Sequence, residues 1–229
     1  MNKEQLKSEY SNIWDTYELK LQTEVLKRGF LFQFDDLVDG PDILFIGINP
    51  SYDKSEADLR GSYKGENVLN LPYFKAFQSV KNALGTGSYN KNVSWSHLDL
   101  LVFRETNQKF VNEFMKTQGG LDFIMAQLKI AKKLIKHINP KIIVVSNSTA
   151  RTFMGKDRFI SKKGIEQNVW MDFRFKFDIG LGVDRIIDDE ILEETPVFFT
   201  SMLSGQRALD NGSKERLIWQ MDKVLDSMR

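Results

Sequence analysis

Apolar residues return at helical spacing along the start of the chain. Leu6, Tyr10, Ile13, Trp14, Tyr17, Leu21 and Val25 lie three or four positions apart, and Gly29 supplies a stop. This predicts an N-terminal amphipathic helix within residues 1–29. The pattern then changes. Ile43-Leu44-Phe45-Ile46 is a continuous apolar run, which reads as a buried strand over about 42–48. Gly47-Ile48-Asn49-Pro50-Ser51 ends it in small, turn-forming residues. A polar loop follows with Asp53, Lys54, Ser55 and Gly61-Ser62-Tyr63, then a helix over Tyr73 to Ala83.

Beyond the Gly85-Thr86-Gly87-Ser88 turn, Val93 to Phe103 mixes alternating and continuous apolar character, which predicts a second strand with Asp99 inside it. Leu121, Ile124, Met125, Leu128, Ala131, Leu134, Ile135 and Ile138 make a strong helical face, closed by Asn139-Pro140. Lys141 to Val145 is a β-branched strand that stops in Ser146-Asn147-Ser148-Thr149, residues suited to capping a following helix. Phe173, Phe175 and Phe177 alternate with Arg174 and Lys176, as in a half-exposed strand. Val197-Phe198-Phe199-Thr200 is a further strand, running into Ser201-Met202-Leu203-Ser204-Gly205. Leu217, Ile218, Met221, Val224, Leu225 and Met228 form one face of a closing helix.

Strands and helices alternate, so the expected class is α/β: a three-layer α/β/α arrangement around a central, mainly parallel sheet. Right-handed crossovers would bring the ends of three apolar strands, at Gly47–Ser51, Ser146–Thr149 and Thr200–Ser204, to one edge. In open α/β sheets ligands bind beyond the carboxyl ends of strands, so that edge is the candidate site.

Composition narrows the chemistry. The 229 residues contain no repeat, low-complexity tract or linker-like stretch, and a single domain over 1–229 is the economical reading. With no cysteine, the chain has no thiol nucleophile, disulfide, cysteine-ligated zinc or iron–sulfur cluster. No apolar stretch approaches the roughly 18 residues of a membrane span, so a soluble, cytoplasmic, monomeric protein is expected. The net charge of +1 does not mark a nucleic-acid binder, although basic residues gather at 129–141 and 151–163 and permit one basic face. Walker-type phosphate loops, Gly-x-Gly-x-x-Gly turns and Gly-x-Ser-x-Gly elbows are absent. The two histidines, His97 and His137, are too scattered for a metal cluster, so neither metal nor cofactor is expected.

The turn Gly47-Ile48-Asn49-Pro50-Ser51 after a buried strand resembles the first motif of the uracil-DNA glycosylase superfamily, particularly its mismatch-specific branch, which carries Gly-Ile-Asn-Pro-Gly there. Thr200 to Arg207 occupies the place of the family's second motif, commonly His-Pro-Ser-Pro or Asn-Pro-Ser-Gly, before a polar loop and a final helix. The resemblance spans about residues 40–228 and implies the family's fold.

It also implies a chemistry in which a base leaves the DNA stack, water is held against the sugar carbon, and donors meet the charge on the departing base. On that reading Asn49 positions water, and Thr200 and Ser201 stand where the family places its histidine or asparagine donor. Gly47, Ile48, Pro50, Ser51 and Asn147 would form the base pocket. Among Tyr52, Tyr63, Tyr73 and Phe74, the resemblance favours Phe74 as the stacking ring. Met202, Leu203, Ser204, Gln206 and Arg207 would press into DNA, with Lys214 and Arg216 adding phosphate contacts. Here Ser51 replaces the family's glycine, and hydroxyls replace its stronger donor. Three readings stay open: a glycosylase acting on a deaminated or mispaired base, a non-cleaving relative that binds a nucleobase, nucleotide or nucleic acid, and an unrelated α/β phosphate-binding protein or hydrolase.

Overall fold

The computed structural model describes residues 2–35, 37–52, 59–63, 72–86, 88–205 and 208–228. Asn2 caps helix α1 (Lys3–Leu21), and Gln22, in the left-handed region at φ 46°, ends it. Thr23 then caps a single turn, α2 (Glu24–Lys27). The expected helix over 1–29 is therefore two helices, because the chain reverses at Gln22. Gly29 opens strand β1 (Gly29–Phe32) at φ +70°. A Cβ there would lie 2.1 Å from the Leu59 carbonyl oxygen, since β1 pairs in parallel with β3 (Leu59–Ser62).

The main sheet takes β2 (Ile43–Gly47), β4 (Trp95–Asp99), β5 (Ile142–Val145), β8 (Arg174–Asp178), β9 (Val183–Ile187) and β10 (Pro196–Phe199). Its order is β4-β2-β5-β10-β9-β8. The first four strands are mutually parallel, and β9 and β8 add an antiparallel edge. The sheet is thus mostly parallel, in a mixed α/β fold. A small hairpin, β6 (Phe159–Ile160) with β7 (Glu166–Gln167), stands apart.

Side-chain alternation divides the core between the two faces of the sheet. Leu44, Ile46, Leu98, Ile143, Val145 and Val197 pack with α1, α5 (Gln118–Ile138) and α6 (Ser148–Met154). Ile43, Phe45, Ile142, Val144 and Phe198 pack with α3 (Pro72–Leu84) and α7 (Asn211–Ser227). Helix α4 (Lys109–Phe114) leans on α5. Buried Lys91, before β4, ion-pairs with buried Asp222 of α7 and fixes that helix to the sheet. A buried ion pair costs desolvation, but leaving either partner alone costs more.

Several elements follow the sequence pattern closely. Helix α5 begins at the Thr117 cap and ends at left-handed Asn139, just before Pro140. The second strand is shorter than Val93–Phe103. It stops at Asp99 because the chain then turns beneath the first strand end, with Leu101 N donating to Ile48 O (2.9 Å) and Leu31 N to Val102 O (2.9 Å). Strands β1, β3, β6, β7 and β9 had no counterpart in the sequence reading. No helix among the described residues is long and apolar enough to cross a membrane.

Candidate functional site

After β2 the chain goes to α3 on one face of the sheet, whereas after β5 it enters α6 on the other. These diverging exits leave a crevice between the carboxyl ends of β2 and β5, the usual ligand position in open sheets. A cavity of about 180 Å³ lies there. Gly47, Ile48, Asn49 and Ser51 line it from β2, Ser146 and Asn147 from β5, and Met202, Leu203 and Ser204 from the segment after β10. Tyr73, Phe77, Glu105, Thr106 and Gln108 complete the wall.

Two carboxamides in this wall are fixed in opposite senses. The Asn49 side-chain NH2 donates to the backbone carbonyls of Glu105 (2.6 Å), Pro50 (3.0 Å) and Phe103 (3.4 Å). Its donors are committed, and Oδ1, without a partner among the described residues, is left as an acceptor. Asn147 caps α6, its Oδ1 accepting from Thr149 N (2.8 Å) and Ala150 N (3.1 Å). Its NH2 has no partner among the described residues, so this amide offers donors.

The first turn is stitched to the loop after β4. Pro50 O accepts from Glu105 N (3.0 Å), and Thr106 Oγ1 both accepts from Tyr52 N (3.2 Å) and donates to Tyr52 O (3.1 Å). The Glu105 carboxylate ion-pairs with Arg28 and accepts from Asn107 N (2.8 Å). The Arg28 guanidinium lies 4.4 Å from the centre of the Tyr52 ring, a cation–π contact that covers the ion pair.

Beneath Gly47 sits a buried polar group of three side chains. A Cβ on Gly47 would lie 2.2 Å from Asp99 Oδ1, 2.8 Å from the Tyr73 hydroxyl and 3.0 Å from His97 Nε2, so only glycine fits. The Tyr73 hydroxyl and His97 Nε2 are 3.3 Å apart, and Asp99 Oδ2 accepts from Gln33 Nε2 (3.1 Å). Burial pulls His97 down to about 3 and pushes the Asp99 carboxyl up to about 7, with the Gln33 bond opposing the latter. The Tyr73 hydroxyl is likewise raised by burial.

The sequence-derived set is partly assembled and partly dispersed. Gly47, Ile48, Asn49, Ser51, Asn147, Met202, Leu203 and Ser204 share the cavity. Pro50 does not line it and serves through its carbonyl oxygen. Thr200 and Ser201 depart from expectation: they line a neighbouring cleft of about 270 Å³ with Ser148 and Arg151. The cause is that Thr200 N still bonds Val145 O (3.0 Å), so the chain runs on along β5 before turning. Phe74 is corrected as well. It is 2% exposed in the core against Tyr63, Tyr73, Phe77 and His97, and the rings at the cavity are Tyr73 and Phe77, one helical turn apart.

Gln206 and Arg207, like Asp53, Lys54 and Ser55, lie outside the described residues. Lys214 donates to Ser79 Oγ (2.8 Å), and Arg216 lines a separate groove beside β9 and β10. Sequence reasoning missed Glu105, Thr106 and Gln108. Their only signal was polar residues following an apolar strand, without the small-residue signature of the other strand ends. Among the described residues, no group of three or more His, Asp or Glu is placed to hold a metal ion. No protein-family model matches the chain, and no curated protein matches it.

Proposed function

We propose that the cavity between Asn49 and Asn147 receives a nucleobase extruded from DNA, and that the protein hydrolyses its N-glycosidic bond in the manner of the uracil-DNA glycosylase superfamily. The observation that carries this reading is the opposite pinning of the two amides in one cavity. An acceptor at Asn49 suits the orientation of a water molecule, and a donor at Asn147 suits an oxygen of the departing base as it gains charge. In this reading Asn147 takes the part that the resemblance gave to Thr200 and Ser201. Tyr73 and Phe77 supply aromatic surface for the base, with Phe74 supporting them from behind. Met202, Leu203 and Ser204 form the wall on the side where DNA would approach.

A second reading, binding of a base, nucleotide or nucleic acid without cleavage, is favoured by one fact: a carboxamide orients water but does not accept its proton. Both readings are tested with single- and double-stranded oligonucleotides carrying uracil, G:U, G:T, hypoxanthine or xanthine, followed by alkaline cleavage at abasic sites. Slow release from at least one substrate is expected, lost in Asn49→Ala. If stoichiometric protein releases no base but binds DNA with salt-dependent affinity, the second reading stands instead.

A further inference from the structure

We infer that Glu105 is the general base of this site, taking the proton from the water that Asn49 orients. The inference rests on the hydrolytic reading above and supplies what the first turn lacks. Glu105 lines the same cavity as Asn49, and its side chain keeps 8% of its surface open. The two residues are mechanically joined: the Glu105 carbonyl accepts the shortest of the Asn49 amide bonds, at 2.6 Å, and the Glu105 N–H donates to Pro50 O. The Asn49 amide and the backbone that carries the carboxylate are therefore held to each other directly.

The carboxylate is also held in place. Arg28 pairs with Oε2, the Asn107 amide donates to Oε1, and the Tyr52 ring covers Arg28 from the other side. Among the described residues the Arg104 guanidinium also stands at this corner, 5.3 Å from the Tyr52 ring and donating to Arg28 O. The Arg28 and Asn107 contacts fix the orientation of the carboxylate at the edge of the cavity. A carboxylate oxygen has more than one lone-pair direction, so each one bonded here can still accept from water.

The step balances without a co-reactant. Water oxygen bonds to the sugar C1′ while the C1′–N bond breaks, and that electron pair leaves with the base, met by the Asn147 amide donors. The water proton passes to the Glu105 carboxylate, which later returns it to solvent. The same negative charge also favours the positive character that develops on the sugar as the bond breaks.

The test is single-turnover base release with the oligonucleotide that wild-type protein cleaves best. Glu105→Gln is expected to lower the rate constant at least 100-fold while DNA affinity stays within threefold, as loss of general-base catalysis requires. Glu105→Asp, which retains a carboxylate, should be faster than Glu105→Gln, and added formate should partly restore Glu105→Ala. A merely structural partner of Arg28 would show neither the Asp-over-Gln order nor rescue by formate. Wild-type release should also slow in D2O, a measurement that stands even if the variants fail to fold. Unchanged release by folded Glu105→Gln, or an equal wild-type rate in D2O, overturns the role of Glu105 and leaves the glycosylase reading intact. Absence of release by wild type overturns both.

Discussion

The two strand-end turns at the cavity are built differently. The turn after β2 is tied down on every side: the Asn49 amide grips three carbonyls, Pro50 and Tyr52 are bonded to the loop after β4, and Gly47 lies on a buried polar floor. Among its described residues, the turn after β10 is held through backbone bonds, Thr200 N to Val145 O and Leu209 N to Met202 O, and Ser201 is exposed. Position is therefore a property of the first turn, and reach a property of the second.

The comparison breaks most readily at Gly47. Gly47→Ala should cost about 3 kcal/mol in denaturant unfolding, because its methyl would overlap Asp99 Oδ1 at 2.2 Å in a crowded interior. In the other turn, Gly205→Ala meets nothing nearer than Met202 Cε at 4.0 Å and strains only a φ of +83°, so about 1 kcal/mol is expected. Equal losses at the two glycines would remove the contrast.

Asn49→Asp sharpens it next. The introduced carboxylate would face three carbonyl oxygens that now receive N–H groups, which should cost about 2 kcal/mol at pH 8. The cost should shrink toward pH 4, where the introduced group is protonated, and thermal unfolding at the two pH values checks this.

The floor under Gly47 has its own pH signature. Asp99 is raised to about 7, so the folded state holds more protons than the unfolded state from about pH 4 to 7, and the stability tied to that proton falls as pH rises through this window. His97, lowered to about 3, has the opposite sign: the unfolded state binds the extra proton below about 6.5, and stability falls as pH drops. Asp99→Asn should therefore gain stability relative to wild type between pH 4 and 8, by more than about 1.4 kcal/mol, the equivalent of one pKa unit. A difference that stays flat with pH would mean that Asp99 is ionised when folded. The smallest effect belongs to the second turn, where Ser201→Ala should change stability by less than about 0.5 kcal/mol in the same unfolding measurement.

How much of this was readable in the chain depends on distance along it. The ends of β2, β5 and β10 were legible because a run of apolar, often β-branched residues that stops in small polar ones is a local signal. Asn147 was legible for the same reason, as a helix cap. The aromatic choice failed on helical phase. Tyr73, Phe74 and Phe77 are all aromatic, so composition does not say which of them turns toward a cavity and which toward the core. Glu105 was invisible because its place is set by bonds to Arg28, Asn49 and Pro50, residues up to 77 positions away. Strands β1 and β3 were missed for a like reason, since each is short and finds its partner across the chain.

The pairing of Lys91 with Asp222 joins residues 131 positions apart, and this separation bears on how the molecule is made. During synthesis the ammonium of Lys91 emerges long before its counter-charge, and it stays in water until α7 has been translated. Until then Ile43, Phe45, Val144 and Phe198 lack the part of their cover that α7 supplies. The newborn chain thus passes through an interval with one side of its sheet covered by α3 but not yet by α7, an apolar surface that chaperones bind and that neighbouring chains can stick to. Docking of α7 closes that interval and neutralises the waiting charge in the same event.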